Sequence, residues 1–145
     1  MGYADIYWGI TDEINTLLTG DVRLADIQEI IFGEKERIGA LKFPCLFFIP
    51  GKNEIDDLTS LSQEHKFNYE LVLILKDRDL QSGLKDAIDM AGDIHDVLME
   101  NRDLNGKCSN LSVTGLDPGY AKVEQNILHW VSIEIIVKVE TRFGF

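Results

Sequence analysis

The fold is decided by residues 65–76, which read HKFNYELVLILK. Polar and apolar side chains alternate along this stretch, and a period of two is typical of a β-strand with one buried face. At about 3.3 Å per residue the strand is roughly 40 Å long, well beyond the usual five or six residues. One face carries His65, Phe67, Tyr69, Leu71, Leu73 and Leu75, and the other carries Lys66, Asn68, Glu70, Val72, Ile74 and Lys76.

Other strands are predicted on both sides of this one. Residues 45–49, CLFFI, form a short apolar strand that starts after Pro44 and ends at Pro50-Gly51, and the polar residues 52–64 are interpreted as a long loop. Residues 107–115 are a candidate strand, followed by a turn at residues 117–119. Residues 124–142 alternate again, with Val131, Ile133, Ile135, Val137 and Val139 on one face. Strands this long commonly project as hairpin arms, which pair with other chains.

Two helices are predicted from apolar residues at three- and four-residue steps. The first covers residues 3–18 and is closed by Gly20, and the second covers residues 82–99, with Ser82 as its cap. Residues 21–32 fit either a helix or a strand, since their isoleucines suit both. The order of elements predicts an α+β fold, a two-layer sandwich of a mixed, mainly antiparallel sheet with two main helices packed on it. The 145 residues suit a single domain, 1–145.

Composition and motifs exclude several classes of function. The 14 basic and 25 acidic side chains leave a net charge of −11, which disfavours nucleic-acid binding, and no apolar run is long enough to span a bilayer. No secretory leader is expected from residues 1–5. Motifs of serine hydrolases, phosphate-binding loops, dinucleotide-binding folds and zinc proteases are absent, so no catalytic residue and no cofactor is expected.

The histidines and cysteines are predicted to be structural. His65, His95 and His129 are far apart in sequence from one another and from both cysteines, so no metal site is expected. For His65 and His129 a solvated or hydrogen-bonded imidazole at a strand edge is the expectation. Cys45, inside an apolar strand, is expected to be a buried and inert thiol.

Two sets of side chains are candidates for contact with partners. An acidic row on the second helix follows three- and four-residue steps, and it is either a solvated face or a surface that faces a partner or a lumen through which DNA slides. A divalent cation held by Asp89 and Asp93 is another alternative. The acidic row comprises Asp86, Asp89, Asp93 and Asp96, and the candidate subunit-interface residues are Trp8, Trp130, Ile136, Phe143 and Phe145. For the apolar residues, packing within the chain is the alternative to a subunit contact.

The whole pattern resembles the tail terminator (tail completion) proteins of long-tailed bacteriophages and prophages. The features that match are the helix of residues 3–18, the Phe43-Pro44 entry into strand 45–49, the long strand 65–76, the helix 82–99 and the terminal strand at residues 130–140. The resemblance covers nearly the whole chain and rests on element order and size. It implies a homohexameric ring at the head-proximal end of the tail tube, which stops tube polymerisation and meets the head connector.

From this resemblance we expect a non-enzymatic virion component that is assembled in the host cytoplasm. Its partners would be its own copies, the tail-tube protein and a head connector or neck protein, with DNA passing the lumen without specific binding and no membrane contact. Another neck protein is the alternative of the same class. A small-molecule binding module or minor enzyme subunit, with a cleft between helix and sheet, is the alternative from a different class.

Overall fold

The computed structural model describes residues 2–32 and 42–142. Within them the chain forms, in order, helix α1 (Tyr3–Gly20), a 3-10 turn (Val22–Leu24), strands β1 (Glu29–Phe32), β2 (Cys45–Thr59) and β3 (Ser62–Asp77), helix α2 (Leu80–Met99), and strands β4 (Asn110–Val123) and β5 (Asn126–Arg142). The ambiguous segment 21–32 is therefore a 3-10 turn followed by a short strand. Neither described helix is both long and apolar enough to cross a membrane.

The five strands form one sheet in the order β1-β2-β3-β5-β4. β1 and β2 are parallel, and the other three pairs are antiparallel, so the sheet is mixed and mainly antiparallel. This confirms the predicted α+β class. The alternating stretch 65–76 lies in the central strand, where its register with β5 places Leu71 opposite Ile133 and Leu73 opposite Val131.

The core lies between one face of the sheet and the two helices. Ile10, Ile14 and Leu18 recur along the inner side of α1, while Ala87, Ala91, Ile94 and Leu98 line that of α2; all are buried. The sheet contributes alternate side chains, as the pattern of two predicts. Those of β3 and β5 on this face are Phe67, Tyr69, Leu71, Leu73, Leu75, Val131, Ile133, Ile135, Val137 and Val139.

The predicted loop at residues 52–64 is wrong. β2 continues past Pro50 and Gly51 through a register shift, and it pairs with β3 as far as Thr59 opposite Ser62. We call residues 51–65 the arm. The end of β5, as far as Arg142, pairs with the β3 residues of the arm. Proline and glycine do not end β2 here because a local irregularity in the pairing accommodates them, as β-bulges do. The projecting hairpin expected from overlong strands is therefore present.

The predicted turn at residues 117–119 is also wrong. Asp117, Pro118 and Gly119 lie inside β4, opposite Ser132, Val131 and Trp130 of β5. β4 is an edge strand, where a residue without a backbone N–H can be placed without breaking a ladder on both sides. Turn-forming composition was therefore overridden by pairing with β5.

Two smaller expectations need correction. α2 begins at Leu80 rather than Ser82, because Asp79 is its cap: the Asp79 carboxylate accepts a hydrogen bond from the Ser82 N–H at 2.8 Å. His129 is buried, and neither of its ring nitrogens has a hydrogen-bond partner within the described residues. His65 is also buried, but its Nδ1 lies 3.4 Å from Asn53 Nδ2, which agrees with the hydrogen-bonded alternative. Cys45 is buried, as predicted.

Candidate assembly surfaces

The acidic row lies along the solvent side of α2. Asp86, Asp89 and Asp96 are exposed and Asp93 is half-buried. The carboxylate of Asp89 pairs with Lys85 one turn earlier at 2.9 Å, which raises the pKa of that lysine, and His95 Nδ1 lies 3.0 Å from Asp96 Oδ1. Two of the four carboxylates therefore have a partner on the same helix, which reduces the like-charge repulsion that the spacing alone implies.

No metal centre is formed in the described part of the chain. Residues 2–32 and 42–142 contain no group of three or more histidine, cysteine, aspartate or glutamate side chains placed to hold an ion. Asp89 and Asp93, the alternative pair of cation ligands, therefore belong to no such group in this part of the chain.

One edge of the sheet exposes aromatic side chains between α1 and β1. Trp8 is 50% exposed, its ring lies 5.8 Å from that of Phe32, and Phe32 is 49% exposed. The two rings border an open cavity of about 260 Å³ whose polar lining is Thr11, Asp12 and Asn15. A cavity of this size is slightly below the usual range for small-molecule sites, about 300–1,000 Å³. We call this the α1/β1 groove.

The opposite edge of the sheet exposes apolar side chains on β4 and α2. Leu116 and Tyr120 of β4 are paired with the buried Ile133 and His129 of β5, so they lie on the helix-covered side, yet Tyr120 is 57% exposed. Leu84 and Ile88, one turn apart on α2, are exposed as well. We call this set the β4/α2 edge. The sequence did not predict it because Leu116 and Tyr120 flank the supposed turn, and because Leu84 and Ile88 fit the apolar steps from which the helix of residues 82–99 was predicted.

Trp130 and Ile136 lie on the sheet face that the helices do not cover, as the alternation predicted, and both are half-buried. The Trp130 ring packs directly on the backbone of Gly119, where an added Cβ would come within 2.6 Å of the indole. Trp130 is therefore in part an intrachain cover for a glycine in an edge strand. Phe143 and Phe145 lie outside the described residues.

The same sheet face carries like charges directly opposite one another. Glu70 faces Glu134 and Lys66 faces Lys138 across the β3–β5 pair. Such pairs destabilise an isolated sheet. The hydroxyl of Ser132 donates to Glu70 at 2.9 Å, which satisfies one carboxylate oxygen. The face is thus banded in charge, with an acidic band next to a basic one.

A wider cleft of about 610 Å³ lies between α1 and the end of β5. Its lining mixes polar and apolar groups, and Lys107 on its rim pairs with Glu13 of α1 at 3.0 Å. This is the cleft between helix and sheet that a small-molecule binding module would use. Its lining residues are Asp5, Ile6, Gly9, Gly106, Lys107, Val139, Glu140, Thr141 and Arg142.

The clearest shifts of pKa have structural causes. Burial raises the pKa of the Tyr69 hydroxyl, which lies 3.3 Å from the Thr11 hydroxyl in the core. Burial also raises the pKa of the Cys108 thiol to about 11, so this cysteine stays protonated at neutral pH. Hydrogen bonds from Arg23 lower the pKa of Asp21 to about 2.

Comparison with known proteins gives a likeness in fold. No family model matches the sequence, and no curated protein matches it. A solved chain from the virion of a native gene transfer agent (GTA) particle has a similar structure, with a TM-score of 0.52 and 11% sequence identity. The superposition covers 97% of this chain and 100% of that one. The two chains therefore share a fold over essentially their full lengths.

Proposed function

We propose that this protein is a structural virion component that caps the head-proximal end of a phage-type tail tube as a homohexameric ring. It ends tube polymerisation and provides the surface for head–tail joining. The observation that carries the proposal is the pair of exposed apolar edges at opposite ends of one sheet, the α1/β1 groove and the β4/α2 edge. A ring requires two different surfaces that fit one another, one on each side of every subunit.

Further features support an assembly role over catalysis. The end-to-end likeness in fold to a chain of a gene transfer agent virion agrees with a virion part. The arm exposes Ile55, Leu58 and Leu61, and exposed apolar side chains on a projecting hairpin suit contact with the tail-tube protein or a neck protein. No catalytic constellation, metal or cofactor is part of the proposal.

The acidic row on α2 is proposed to face the lumen of the ring. DNA that passes a ring should meet few cations, because each phosphate contact adds affinity. Asp86 and Asp93 lack an ion pair within the described residues, so their charge is available to repel the backbone. Reversal of all four charges to lysine should slow DNA transfer in assembled particles, and unchanged transfer would remove this assignment.

The test of the main proposal is to add the purified protein to polymerising tail tubes of the same virus and to image them by negative-stain electron microscopy. Tubes of defined length with a ring at one end are expected. Tubes that grow on uncapped, with the protein folded by circular dichroism, would overturn the terminator role. Binding to isolated head connectors in that case would favour another neck protein.

The cleft of about 610 Å³ supports a second candidate, a small-molecule binding module. Its volume lies within the range of ligand sites, and its rim is charged. A thermal-shift screen against a library of metabolites tests it. A ligand whose stabilisation is abolished by Gly9→Trp, a substitution on the cleft wall, would favour this class; Gly9 has open space beside its Cα.

A further inference from the structure

We propose that the β4/α2 edge of one copy packs into the α1/β1 groove of the next copy, with Tyr120 against Trp8 and Phe32 and with Lys122 paired to Asp12. This inference rests on the proposed ring, and it names the surfaces that would build it. The two surfaces lie on different edges of the sheet, so the contact is heterologous, and a repeated heterologous contact closes into a ring when its rotation allows.

The β4/α2 edge offers a continuous apolar surface. Among the strands of the described residues β4 pairs with β5 only, so its other side lies at the sheet edge, where the Leu111 N–H donates to the Arg102 carbonyl at 2.8 Å near the start of the strand. Leu116 and Tyr120 lie on its helix-covered face, and α2 packs across β3, β5 and β4. A right-handed β3–α2–β4 crossover, the sense nearly always found, turns the side of α2 with Leu84 and Ile88 towards β4. Gly83, next to Leu84, lies against His129, which is the β5 partner of Tyr120, so we expect the exposed side chains of helix and strand to lie near one another.

The α1/β1 groove offers a receptor of matching size. Its cavity of about 260 Å³ continues into a second one of about 280 Å³, and the two share Asn15 and Ile30. The groove therefore extends along α1 and takes side chains of a neighbouring chain in a row. Aromatic side chains bury large areas and pair favourably with other rings, which suits Tyr120 packed across the exposed faces of Trp8 and Phe32.

The spacing of aromatic and charged groups agrees between the two surfaces. Tyr120 and Lys122 lie two residues apart on one face of β4, a separation of about 7 Å in an antiparallel strand. Trp8 and Asp12 lie one turn apart on α1, about 6 Å along the helix axis. A tyrosine beside a cation can therefore face a tryptophan beside a carboxylate, with both pairs in register.

The two charges are available for this contact. Asp12 and Lys122 are both exposed, and neither forms an ion pair with another residue of the described ranges. In a chain with a net charge of −11, repulsion between copies must be offset where they meet. A lysine at one edge and an aspartate at the other meet that need at every contact of the ring.

The test uses two full-length variants, Asp12→Lys and Lys122→Asp, in sedimentation velocity of the free protein and in cap counts on tail tubes. Each variant alone places like charges at every contact, so its self-association should weaken by about tenfold or more. An equimolar mixture can alternate the two variants, which restores an opposite pair at every contact. Wild-type self-association should therefore return in the mixture.

Matched controls change the same charges elsewhere. Asp117→Lys lies on β4 but on the opposite sheet face, and Lys52→Asp lies on the arm; in solution both should associate like the wild type. Because the arm is proposed to contact the tube, Lys52→Asp serves as a control in sedimentation velocity alone. Tyr120→Ser should weaken association without a change of charge. Circular dichroism of every variant checks that it is folded, which is expected because all five positions are exposed.

The outcomes separate this contact from the terminator role. Failure of the mixture to recover, or equal weakening in the controls, would overturn the contact, as would a wild-type chain that associates neither at about 1 mM nor on tubes. Association that follows the charge pattern without any capped tubes would uphold the contact and reject the terminator role. If both single variants cap tubes normally, the terminator role would be upheld and this contact would be rejected.

Discussion

The body of the sheet, which is the part covered by α1 and α2, and the arm both contain segments of β2 and β3. Different interactions stabilise the two regions. In the body, alternate side chains of β3 are buried beneath α1 and α2, and Leu71 and Leu73 have no exposed surface. In the arm, β2 exposes nearly every side chain on both faces, including Ile55 and Leu58. The strands thus stay paired from the body into the arm, although their side chains change from buried to exposed. Stability resides in the body, and the arm is left free for contact with other molecules.

The base of the arm has its own support. Asn53 Nδ2 donates to the hydroxyl of Tyr3 at 2.9 Å, and the Tyr3 ring lies 5.7 Å from His65 and 5.8 Å from Phe67. The first residue of α1 therefore anchors the hairpin where the core ends. Nearer the tip the Thr59 and Ser62 hydroxyls lie 2.8 Å apart. These contacts are local and contribute less than burial in the body.

The largest expected effect contrasts the body with the arm. Leu73→Ala should lower the free energy of unfolding by about 3–5 kcal/mol, because it empties a fully buried site. Ile55→Ala in the arm should lower it by less than about 1 kcal/mol, since half of that side chain is already in water. Urea denaturation of both variants checks this, and similar losses would mean that the arm is part of the cooperative core.

The second prediction concerns packing in the body and compares two glycines of α2. An added Cβ at Gly83 would lie 2.1 Å from His129 Nε2, whereas none of the described atoms comes within 4 Å at Gly92. Gly83→Ala should therefore destabilise the protein by about 1–3 kcal/mol. Gly92→Ala should stabilise it by up to about 1 kcal/mol through helix propensity. Thermal unfolding should show a lower Tm for Gly83→Ala and a higher Tm for Gly92→Ala. A higher Tm for Gly83→Ala would mean that the His129 ring does not lie against Gly83.

The third prediction concerns the junction between body and arm. Tyr3→Phe removes the acceptor of the Asn53 amide while it keeps the ring, and it should reduce stability by about 0.5–1 kcal/mol at most. Amide hydrogen exchange should accelerate in residues 53–65 and stay unchanged around Leu73. Equal acceleration in both regions would mean that the arm does not open independently.

The smallest effect comes from ion pairs. Arg23 bonds Asp21 and Glu100 at the surface of the body, and it lowers the pKa of both carboxyls, that of Asp21 from 3.8 to about 2. A carboxyl with a lowered pKa contributes stability above its unfolded-state value, and this is lost as the pH falls towards the folded-state value. Arg23→Met should therefore lower the Tm slightly at pH 7, with the difference from wild type shrinking between pH 4 and pH 2.

Lys66, the residue that follows the arm and pairs with two of its carboxylates, supplies the control for this comparison. Lys66 lies 3.9 Å from Asp56 and 4.0 Å from Glu64, and all three side chains are in contact with water. Exposed pairs at such distances contribute little. Lys66→Met also removes the like charge opposite Lys138, so the Tm should not fall across the same pH range. A fall equal to that of Arg23→Met would show that surface pairs act alike in both regions.

The elements that the sequence predicted well are those with sustained periodicity. The alternation in β3 and β5 extends over about ten residues in each strand. The helical spacing in α1 and α2 extends over three turns or more. A local pattern of that length leaves one way to bury the apolar side chains. The single-domain assignment for residues 1–145, the acidic row as a lumen surface and the apolar residues as an interface stay predictions.

The elements that the sequence missed are those held by partners far along the chain. Residues 52–59 are polar and follow Pro50-Gly51, and residues 117–119 are Asp-Pro-Gly, so local composition favours loop and turn. β3 extends past the core and β5 runs through it. Each would leave backbone groups unpaired along one side, and residues on β2 and β4 satisfy them. His129 was misjudged for the same reason, because only packing under Gly83 buries its ring.

The sequence by itself determined the class of fold, the helix-covered face of the sheet and the absence of familiar catalytic motifs, since these follow from periodicity and composition. Only the tertiary structure decided the strand order β1-β2-β3-β5-β4, the arm, and the two edges with exposed aromatic side chains. Exposure at an edge depends on which strand ends up last in the sheet. That order is set by long-range pairing, which no local window of sequence contains.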